Sequence, residues 1–346
     1  MRRVRRLRAG DRIAVVAPAS SFPHEELTAG IAELSSLGFE AVYEPSISDK
    51  STFTAGSAAT RAAAIHAAWS DSSIAALVAV RGGYGSAELL PLLDTALLRR
   101  ARKALIGYSD ITALLNLYAR CGVVGIHGPM LERRLSLGPA AYDRASFLTL
   151  LTSPEPAGDL RPEQLDTFQE GVATGPLFGG TIAQLTAMLG TPWAFDPPKD
   201  CILFLEDVGE RPYRIHRMLT QLAHAGVLAC AKAIVFGEFP RCDEPGGQGP
   251  FIRDVLRDFT RGFPGPVVFN FPSGHTTGPT WTLPFGVRAE VTGGAGARRG
   301  TVVPDQPLLD GQGGEVGDAA RPRQPIDIPC LGQFRRFGEQ ARKRLA

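Results

Sequence analysis

The segment Leu105-Ile106-Gly107-Tyr108-Ser109-Asp110-Ile111-Thr112 joins a short apolar strand pattern to a helix pattern through a tight turn. This order is typical of a nucleophile elbow, in which a sharp turn exposes a serine hydroxyl at the carboxyl edge of a sheet. The N-terminus of the following helix favours negative charge beside that hydroxyl. The second glycine of G-x-S-x-G is absent, so on the local pattern alone helix capping by Ser109 or Asp110 is the stronger interpretation.

Strand and helix patterns alternate on both sides of this turn. The strand patterns are Arg12 to Ala17, Glu40 to Tyr43, Ile74 to Val80, Ala104 to Gly107, Cys201 to Leu205 and Ala233 to Phe236. The helix patterns are Glu25 to Leu37, Ala58 to Trp69, Ile111 to Arg120 and Tyr213 to Ala225. Such alternation predicts an α/β protein with a parallel sheet that is covered by helices on both faces.

Changes in composition along the chain predict its division into domains. Residues 153–172 begin with a polar, proline-containing stretch that is typical of an interdomain connection. We therefore expect an N-terminal α/β domain in residues 1–152, a linker in 153–172 and a more β-rich domain in 173–304. Residues 305–346 contain few apolar residues and many glycines, and are predicted to form a mobile tail.

Charge and cysteine content exclude several classes of protein. The 346 residues hold 37 Lys and Arg against 35 Asp and Glu, and a net charge of +2 indicates neither nucleic acid nor an anionic membrane as a partner. The five cysteines include no C-x-x-C pair, which argues against a disulfide framework or structural zinc and fits a cytoplasmic protein. The arginines of the first eight residues are expected to form a basic arm before the first strand, because the apolar run that follows is too short for a secretion signal.

A second turn of interest, Arg81-Gly82-Gly83-Tyr84-Gly85, follows the apolar pattern of Ile74 to Val80. Glycines at a strand end let the backbone approach a ligand closely, at the edge where open α/β sheets bind ligands. The spacing of a nucleotide phosphate loop is absent. A second oxyanion donor and a tight turn without a ligand both remain open, and the latter is the simpler interpretation.

A serine nucleophile needs a base and a residue that orients the base. Glu206 and Asp207 end the apolar pattern of Cys201 to Leu205, and a carboxylate placed there invites a partner such as an imidazole. Ordinary solvated residues are the alternative, and no metal-ligand spacing accompanies the two acids. His275 lies in an irregular loop, where catalytic residues are frequent, although a single loop histidine is more often structural than catalytic. His127, just after a strand pattern, is predicted to line the same cleft.

Together these segments resemble the LD-carboxypeptidase family of serine peptidases, which includes the microcin C immunity peptidases. The residues that carry the resemblance are Leu7 to Ser20, Arg81 to Gly85, Gly107 to Thr112, His127 to Pro129, Leu205 to Leu222, Phe271 to His275 and Leu283 to Gly286. The resemblance implies a Rossmann-like domain, similar to class I glutamine amidotransferases, that carries the nucleophile. It further implies a smaller, β-rich, swivelling C-terminal domain, an active site at the domain junction, a homodimer, and no metal or organic cofactor.

The family's catalytic triad maps onto Ser109, Glu206 and His275. Hydrolysis of the L,D peptide bond to the terminal D-alanine of murein tetrapeptides is the implied reaction. Amide groups of Gly83 and Asp110 are the candidate oxyanion hole. The candidates for substrate binding are Arg81 and Tyr84, and the free carboxylate suits either Arg81 or a helix N-terminus.

Two alternatives remain beside the murein peptidase. One is an immunity peptidase that cleaves peptidyl- or aminoacyl-nucleotide amides, and the other is a peptide-binding protein without catalysis. Two residues depart from the family pattern, because His216 stands where the family often has Asp and Thr181 where it often has Asn. Neither is expected to touch the triad, so both bear on substrate preference rather than on reaction type.

Overall fold

The structure is a computed structural model that describes residues 1–294 and, as backbone only, residues 301–304. The tail predicted for residues 305–346 lies outside the described residues. The predicted strand and helix patterns correspond to observed elements whose bounds differ by at most two residues.

The first sheet has six strands in the order β11-β5-β4-β3-β1-β2. Its strands are β1 (Arg12–Val16), β2 (Glu40–Val42), β3 (Ile74–Ala79), β4 (Ala104–Gly107), β5 (Gly125–His127) and β11 (Leu283–Phe285). The first five pair in parallel, and β11 pairs antiparallel with β5 at the edge. The helices of this half are α1 (His24–Ser36), α2 (Ala58–Ser70), α3 (Thr95–Ala101), α4 (Thr112–Arg120) and α5 (Arg144–Thr152). Because helices cover a parallel sheet on both faces, its strands are continuous apolar runs, and every residue of β3 is buried.

The second sheet has seven strands in the order β13-β12-β7-β8-β9-β10-β6. Its strands are β6 (Asp166–Gln169), β7 (Gly171–Thr181), β8 (Cys201–Glu206), β9 (Ala231–Phe236), β10 (Val267–Phe269), β12 (Arg288–Gly293) and β13 (Thr301–Pro304). The central strands β7 to β10 pair in parallel, and the outer strands pair antiparallel. The helices of this half are α6 (Ile182–Ala187), α7 (Pro212–His224) and α8 (Ile252–Phe259).

The predicted two-domain α/β fold with parallel-rich sheets is confirmed. The domain boundaries at residues 153–172 remain a prediction, and the structure adds two facts about them. Strand β6 lies inside the predicted linker and pairs with β10 of the second sheet. Strand β11 lies inside the predicted second domain and pairs with β5 of the first sheet.

The arginine-rich N-terminal arm packs against the first half of the molecule. Val4 and Leu7 are buried, while the arginines at 2, 3, 5 and 8 are exposed. The amide of Leu7 donates to the carbonyl of Leu151 at 2.9 Å. No helix within the described residues is long and apolar enough to cross a membrane.

Phe204 of β8 packs at the contact between the two halves. Its ring lies 5.0 Å from the ring of His127 in β5 and 6.4 Å from that of Phe285 in β11, measured between ring centroids. Aromatic pairs in this range add stabilisation beyond the area that they bury. The Phe204 ring therefore joins the strand that ends in Glu206 to the edge of the first sheet.

We expect Phe204→Ala to lower the free energy of unfolding by about 3–5 kcal/mol, because it removes a fully buried ring and leaves a cavity. Urea unfolding followed by circular dichroism measures the change. Phe251→Ala is the matched control, since that side chain is 49% exposed and its loss is expected to change stability by only about 0.5 kcal/mol. Equal losses in the two variants would contradict a joining role for Phe204.

Candidate active site

Ser109 lies in a strained turn between β4 and α4. Its φ angle is +63°, in the left-handed region that is uncommon for residues other than glycine. The short 3₁₀ helix Ser109–Ile111 begins at this residue and continues into α4. Backbone strain of this kind persists where the surrounding structure enforces it, and it is frequent at functional sites. The observed turn has the geometry that the strand–turn–helix pattern predicts.

The glycine-rich loop after β3 lies directly against Ser109. A Cβ atom on Gly82 would come within 2.9 Å of Ser109 Cβ and 3.1 Å of Ser109 Oγ, so this position needs a glycine. The Gly82 carbonyl accepts a hydrogen bond from the amide of Ser20 at 3.2 Å. Carbonyl and N–H point in opposite directions across a trans peptide, and the Gly83 N–H therefore points away from Ser20.

Glu206, the last residue of β8, is fully buried and hydrogen-bonded to His275. Its Oε2 lies 2.7 Å from His275 Nδ1 and also accepts a hydrogen bond from the backbone amide of His275 at 3.1 Å. The Thr181 hydroxyl donates to Oε1 of the same carboxylate. The expectation that Thr181 does not touch the triad residues is therefore wrong. Strand β7 ends at Thr181 in register with Glu206, which a sequence pattern does not reveal.

Burial and charge act in opposite directions on this pair. Burial disfavours the ionised carboxylate, but the charges and hydrogen bonds around it, led by those of His275 and including that of Thr181, outweigh burial and lower the pKa of Glu206. Burial likewise disfavours a charged imidazole, but the charge and hydrogen bond of Glu206 raise the pKa of His275 above its ordinary value. The site is therefore arranged to stabilise a proton on His275 opposite an ionised Glu206.

Tyr108 connects the serine turn to the histidine. Its ring meets the His275 ring edge-to-face, with 5.1 Å between centroids and 81° between planes. Tyr108 immediately precedes Ser109, whereas His275 comes from the loop between β10 and β11. The structure thus brings together the turn of Ser109, the end of β8 and the His275 loop.

Asp207 has a different place from Glu206, although the two residues are adjacent. Its carboxylate accepts hydrogen bonds from the amides of Ala183, near the start of α6, and of Val208, both at 2.9 Å. Burial, together with the charge of Glu206, raises the pKa of Asp207 to about 7. The two adjacent acids therefore have different roles, because Glu206 binds His275 whereas Asp207 caps a helix.

His127 lies behind the site, where it has no exposed surface, so the expectation that it lines the cleft is wrong. The Ser273 hydroxyl donates its proton to the carbonyl of Trp281 at 2.8 Å. The same hydroxyl oxygen lies 3.0 Å from His127 Nδ1 and has no second proton, so His127 Nδ1 is the donor in that hydrogen bond. Burial lowers the pKa of His127 to about 4. This imidazole is therefore neutral near pH 7 and packs as part of the core.

The other predicted site residues surround the serine turn. The side chain of Asp110 accepts a hydrogen bond from the amide of Ser86 at 2.8 Å. Arg81 contacts Glu132, with 3.0 Å between Nε and Oε2, and donates to the carbonyl of Ser21 at 2.8 Å. Tyr84 is exposed and pairs edge-to-face with the exposed Phe53.

His216, the second departure from the family pattern, lies on α7 with its ring 5.5 Å from that of Phe259. Within residues 1–294, no group of three or more His, Cys, Asp and Glu side chains is arranged to hold a metal ion.

A further residue of the site, Arg134, was not predicted from the sequence. Its contacts connect residues that lie far apart along the chain, and no local pattern reveals them.

Comparison with known proteins supports the assignment that the motifs indicated. Residues 13–128 match the LD-carboxypeptidase N-terminal domain, and residues 174–291 match the LD-carboxypeptidase C-terminal domain. The murein tetrapeptide carboxypeptidase of Pseudomonas aeruginosa is 32% identical over 293 residues, which cover 82% of this chain and 93% of that protein.

Solved structures show the same fold. The muramoyltetrapeptide carboxypeptidase from Oxalobacter formigenes is 30% identical with a TM-score of 0.75, covering 86% of this chain and 99% of its own. The complex of the microcin C7 self-immunity protein MccF with aspartyl sulfamoyl adenosine has a TM-score of 0.81, at 24% identity, and covers 90% of this chain and 100% of its own. The chain therefore belongs to the LD-carboxypeptidase family of serine-type peptidases.

Proposed function

We propose that this protein is a serine carboxypeptidase that hydrolyses the L,D peptide bond to the terminal D-alanine of murein tetrapeptides. The observation that carries the proposal is the buried Glu206–His275 pair, held against the strained turn of Ser109. The similarity to relatives that are named for murein peptides supports this choice of substrate. We further propose that the protein acts in the cytoplasm as a homodimer, on a small peptide rather than on nucleic acid or a membrane.

In the proposed mechanism, Ser109 Oγ attacks the carbonyl carbon of the scissile bond while His275 takes the hydroxyl proton. Glu206 keeps the Nδ1–H of His275 directed toward itself and stabilises the imidazolium that forms. When the C–N bond breaks, the amine of D-alanine leaves with the proton from His275. A water molecule then attacks the acyl-enzyme, gives its proton to His275 and releases the shortened peptide, after which the proton returns to Ser109.

The amides of Gly83 and Asp110 are the proposed oxyanion donors. Gly83 N–H points away from Ser20 in a loop that contacts Ser109, and Asp110 N–H lies at the start of the helical segment. A donor of this kind stabilises the transition state by roughly 3 kcal/mol. The left-handed conformation of Ser109 supports this proposal, because a sharp turn of this kind brings a serine hydroxyl close to the amide of the next residue.

Recognition of the substrate's free carboxylate is assigned to Arg81, with Tyr84 as an exposed contact beside it. Arg81 is anchored by Glu132 and by the Ser21 carbonyl, through its Nε and one of its terminal nitrogens. A guanidinium carries five N–H donors, so these two contacts leave donors for a ligand. The loop that carries both residues also contacts Ser109, which fits a carboxylate one residue away from the scissile bond.

The second candidate function is an immunity peptidase that cleaves peptidyl- or aminoacyl-nucleotide amides. The likeness in fold to the self-immunity protein MccF is the observation that favours it, and the same serine chemistry would serve that substrate. A peptide-binding protein without catalysis fits less well. Burying Glu206 opposite His275 is costly and brings a binding protein no evident gain.

Ser109→Ala is expected to abolish release of D-alanine from murein tetrapeptide, since no other hydroxyl replaces the nucleophile. Mass spectrometry of the peptide follows the loss of the terminal residue. Ser70→Ala, at an exposed position of α2, is the control and should behave as the wild type. A folded wild type that leaves the tetrapeptide intact but cleaves an aminoacyl-nucleotide amide would favour the second candidate. Equal release by Ser109→Ala would exclude Ser109 as nucleophile.

Replacing Glu206 is expected to change both the rate and the pH dependence. In the wild type, activity should fall as the pH decreases through the raised pKa of His275, because protonated His275 cannot act as a base. Glu206→Gln removes the charge that raises this pKa, so the acid limb of kcat/KM should move to lower pH, while kcat falls by about 10⁴-fold. The measurement is kcat/KM between pH 4 and 9. An unchanged acid limb would refute the assigned pairing.

Arg81→Ala is expected to raise the KM for tetrapeptide roughly tenfold with a nearly unchanged kcat, as loss of one charged hydrogen bond should. A tetrapeptide whose terminal carboxylate is amidated serves as the control substrate, and its KM should not respond to the substitution. Steady-state assays on both peptides measure the difference. Should neither constant change for the free acid, the role given to Arg81 is wrong.

A further inference from the structure

Arg134 lies between the two halves of the site and uses all of its hydrogen-bond donors there. Its side chain belongs to the segment that follows β5, and only 9% of the residue's surface is exposed. One terminal nitrogen donates to the carbonyls of Gly274 and Thr276, at 3.2 and 3.1 Å. The other donates to the carbonyls of Gly278 and Ala141, at 3.1 and 3.2 Å.

The fifth donor reaches the serine turn. Arg134 Nε donates to the hydroxyl oxygen of Tyr108 at 3.3 Å, and the guanidinium also lies 5.9 Å from the centre of the Tyr108 ring. Tyr108 precedes Ser109 and contacts the His275 ring edge-to-face. A guanidinium has five N–H donors in a rigid plane, and in this protein each of them has an acceptor.

The three carbonyls bound by Arg134 in the histidine loop alternate along the chain. Gly274, Thr276 and Gly278 direct theirs to Arg134, while the amide of His275, between the first two, donates to Glu206 at 3.1 Å. The loop is therefore held on one side by the first half of the molecule and on the other by the second. The His275 ring has its position fixed between these two attachments.

The free-energy cost of burying the Arg134 guanidinium indicates that this side chain serves to hold its acceptors in a fixed arrangement. The five oxygens that Arg134 contacts include no carboxylate. A buried guanidinium without a contacting counterion is costly, and this cost is offset only while each of its donors meets an acceptor, which fixes the positions of those acceptors around it. The backbone is also unusual here, since the preceding Arg133 has a φ of +60° and Arg134 itself lies outside the helical and strand regions.

We infer that Arg134 is a positioning residue, which sets the distance between the serine turn and the His275 loop by binding both. This inference rests on the proposed function, because it assigns to Ser109 and His275 the roles given above. A shift of about 1 Å between catalytic groups can lower a rate about 100-fold. Loss of Arg134 should therefore lower kcat and leave substrate binding largely intact.

The test uses the full-length protein with Arg134→Met, which removes both charge and donors, and Arg134→Lys, which keeps the charge but not the planar fork. Arg120→Met is the matched control. Arg120 also crosses between the halves and donates to two carbonyls, those of Ala194 and Pro192. It is the last residue of α4, at the end of the helical segment opposite to Ser109. Circular dichroism and melting temperature establish that each variant is folded.

Two readouts are measured for each protein. The first is kcat and KM for release of D-alanine from tetrapeptide. The second is the rate at which a fluorophosphonate probe labels Ser109, where the Oγ–P bond forms, the P–F bond breaks and His275 takes the proton. Labelling depends on the serine and histidine but not on the identity of the peptide substrate. It therefore separates failure of this inference from failure of the proposed substrate.

We expect Arg134→Met to lower both kcat and the labelling rate by 30-fold or more, with KM changed less than threefold, on the order that misplaced catalytic groups produce. Arg134→Lys should lose at least tenfold in both, because one ammonium cannot replace a five-donor fork. Arg120→Met should stay within twofold of the wild type, since its contacts lie away from the triad.

Wild-type rates in folded Arg134→Met, or full activity in Arg134→Lys, would overturn the inference. If neither variant folds, Arg134 is required for the fold as a whole, and its assignment to positioning the site is likewise overturned. A wild type that is labelled but releases no D-alanine would contradict the proposed substrate only. A wild type that is neither labelled nor active would contradict the proposed function, and this inference with it.

Discussion

The arrangement of this protein depends on one buried carboxylate. Glu206 has no exposed surface, and an ionised carboxylate in such a place needs compensation by hydrogen bonds and by an opposite charge. It receives them from His275, both through the ring and through the backbone amide, and from the hydroxyl of Thr181. Glu206 therefore holds three parts of the chain together, namely the end of β8, the end of β7 and the His275 loop.

The same point is where the two sheets meet. Phe204, two residues before Glu206, packs on His127 at the end of β5, and Tyr108 packs on His275 from the side of the Ser109 turn. The low dielectric of this contact strengthens each hydrogen bond that it encloses and makes each unpaired group more costly. Apolar packing, and not only hydrogen bonding, therefore holds the proposed catalytic groups from the two halves in their relative positions.

Reaction type and substrate preference rest on different parts of this structure. The Glu206–His275 pair and the turn of Ser109 suit attack on a peptide carbonyl, whatever lies on either side of the scissile bond. The residues that we propose for binding the rest of the substrate, the exposed Tyr84 and the anchored Arg81, lie on a loop at the edge of the first sheet. Thr181 contacts Glu206 and so belongs to the first of these parts.

Sequence by itself determined the strands β1 to β4, β8 and β9, the helices α1, α2, α4 and α7, the turn at Ser109, the acid at the end of β8 and the histidine in an irregular loop. These features depend on periodicity and turn chemistry among near neighbours, which a single chain displays directly. Only the tertiary structure decided that β11 joins the first sheet, that Asp207 caps α6, that His127 is buried, and that Arg134 binds the His275 loop. Such contacts join residues as distant along the chain as Gly125 and Phe285, and they arise from how two sheets pack, which no local pattern encodes.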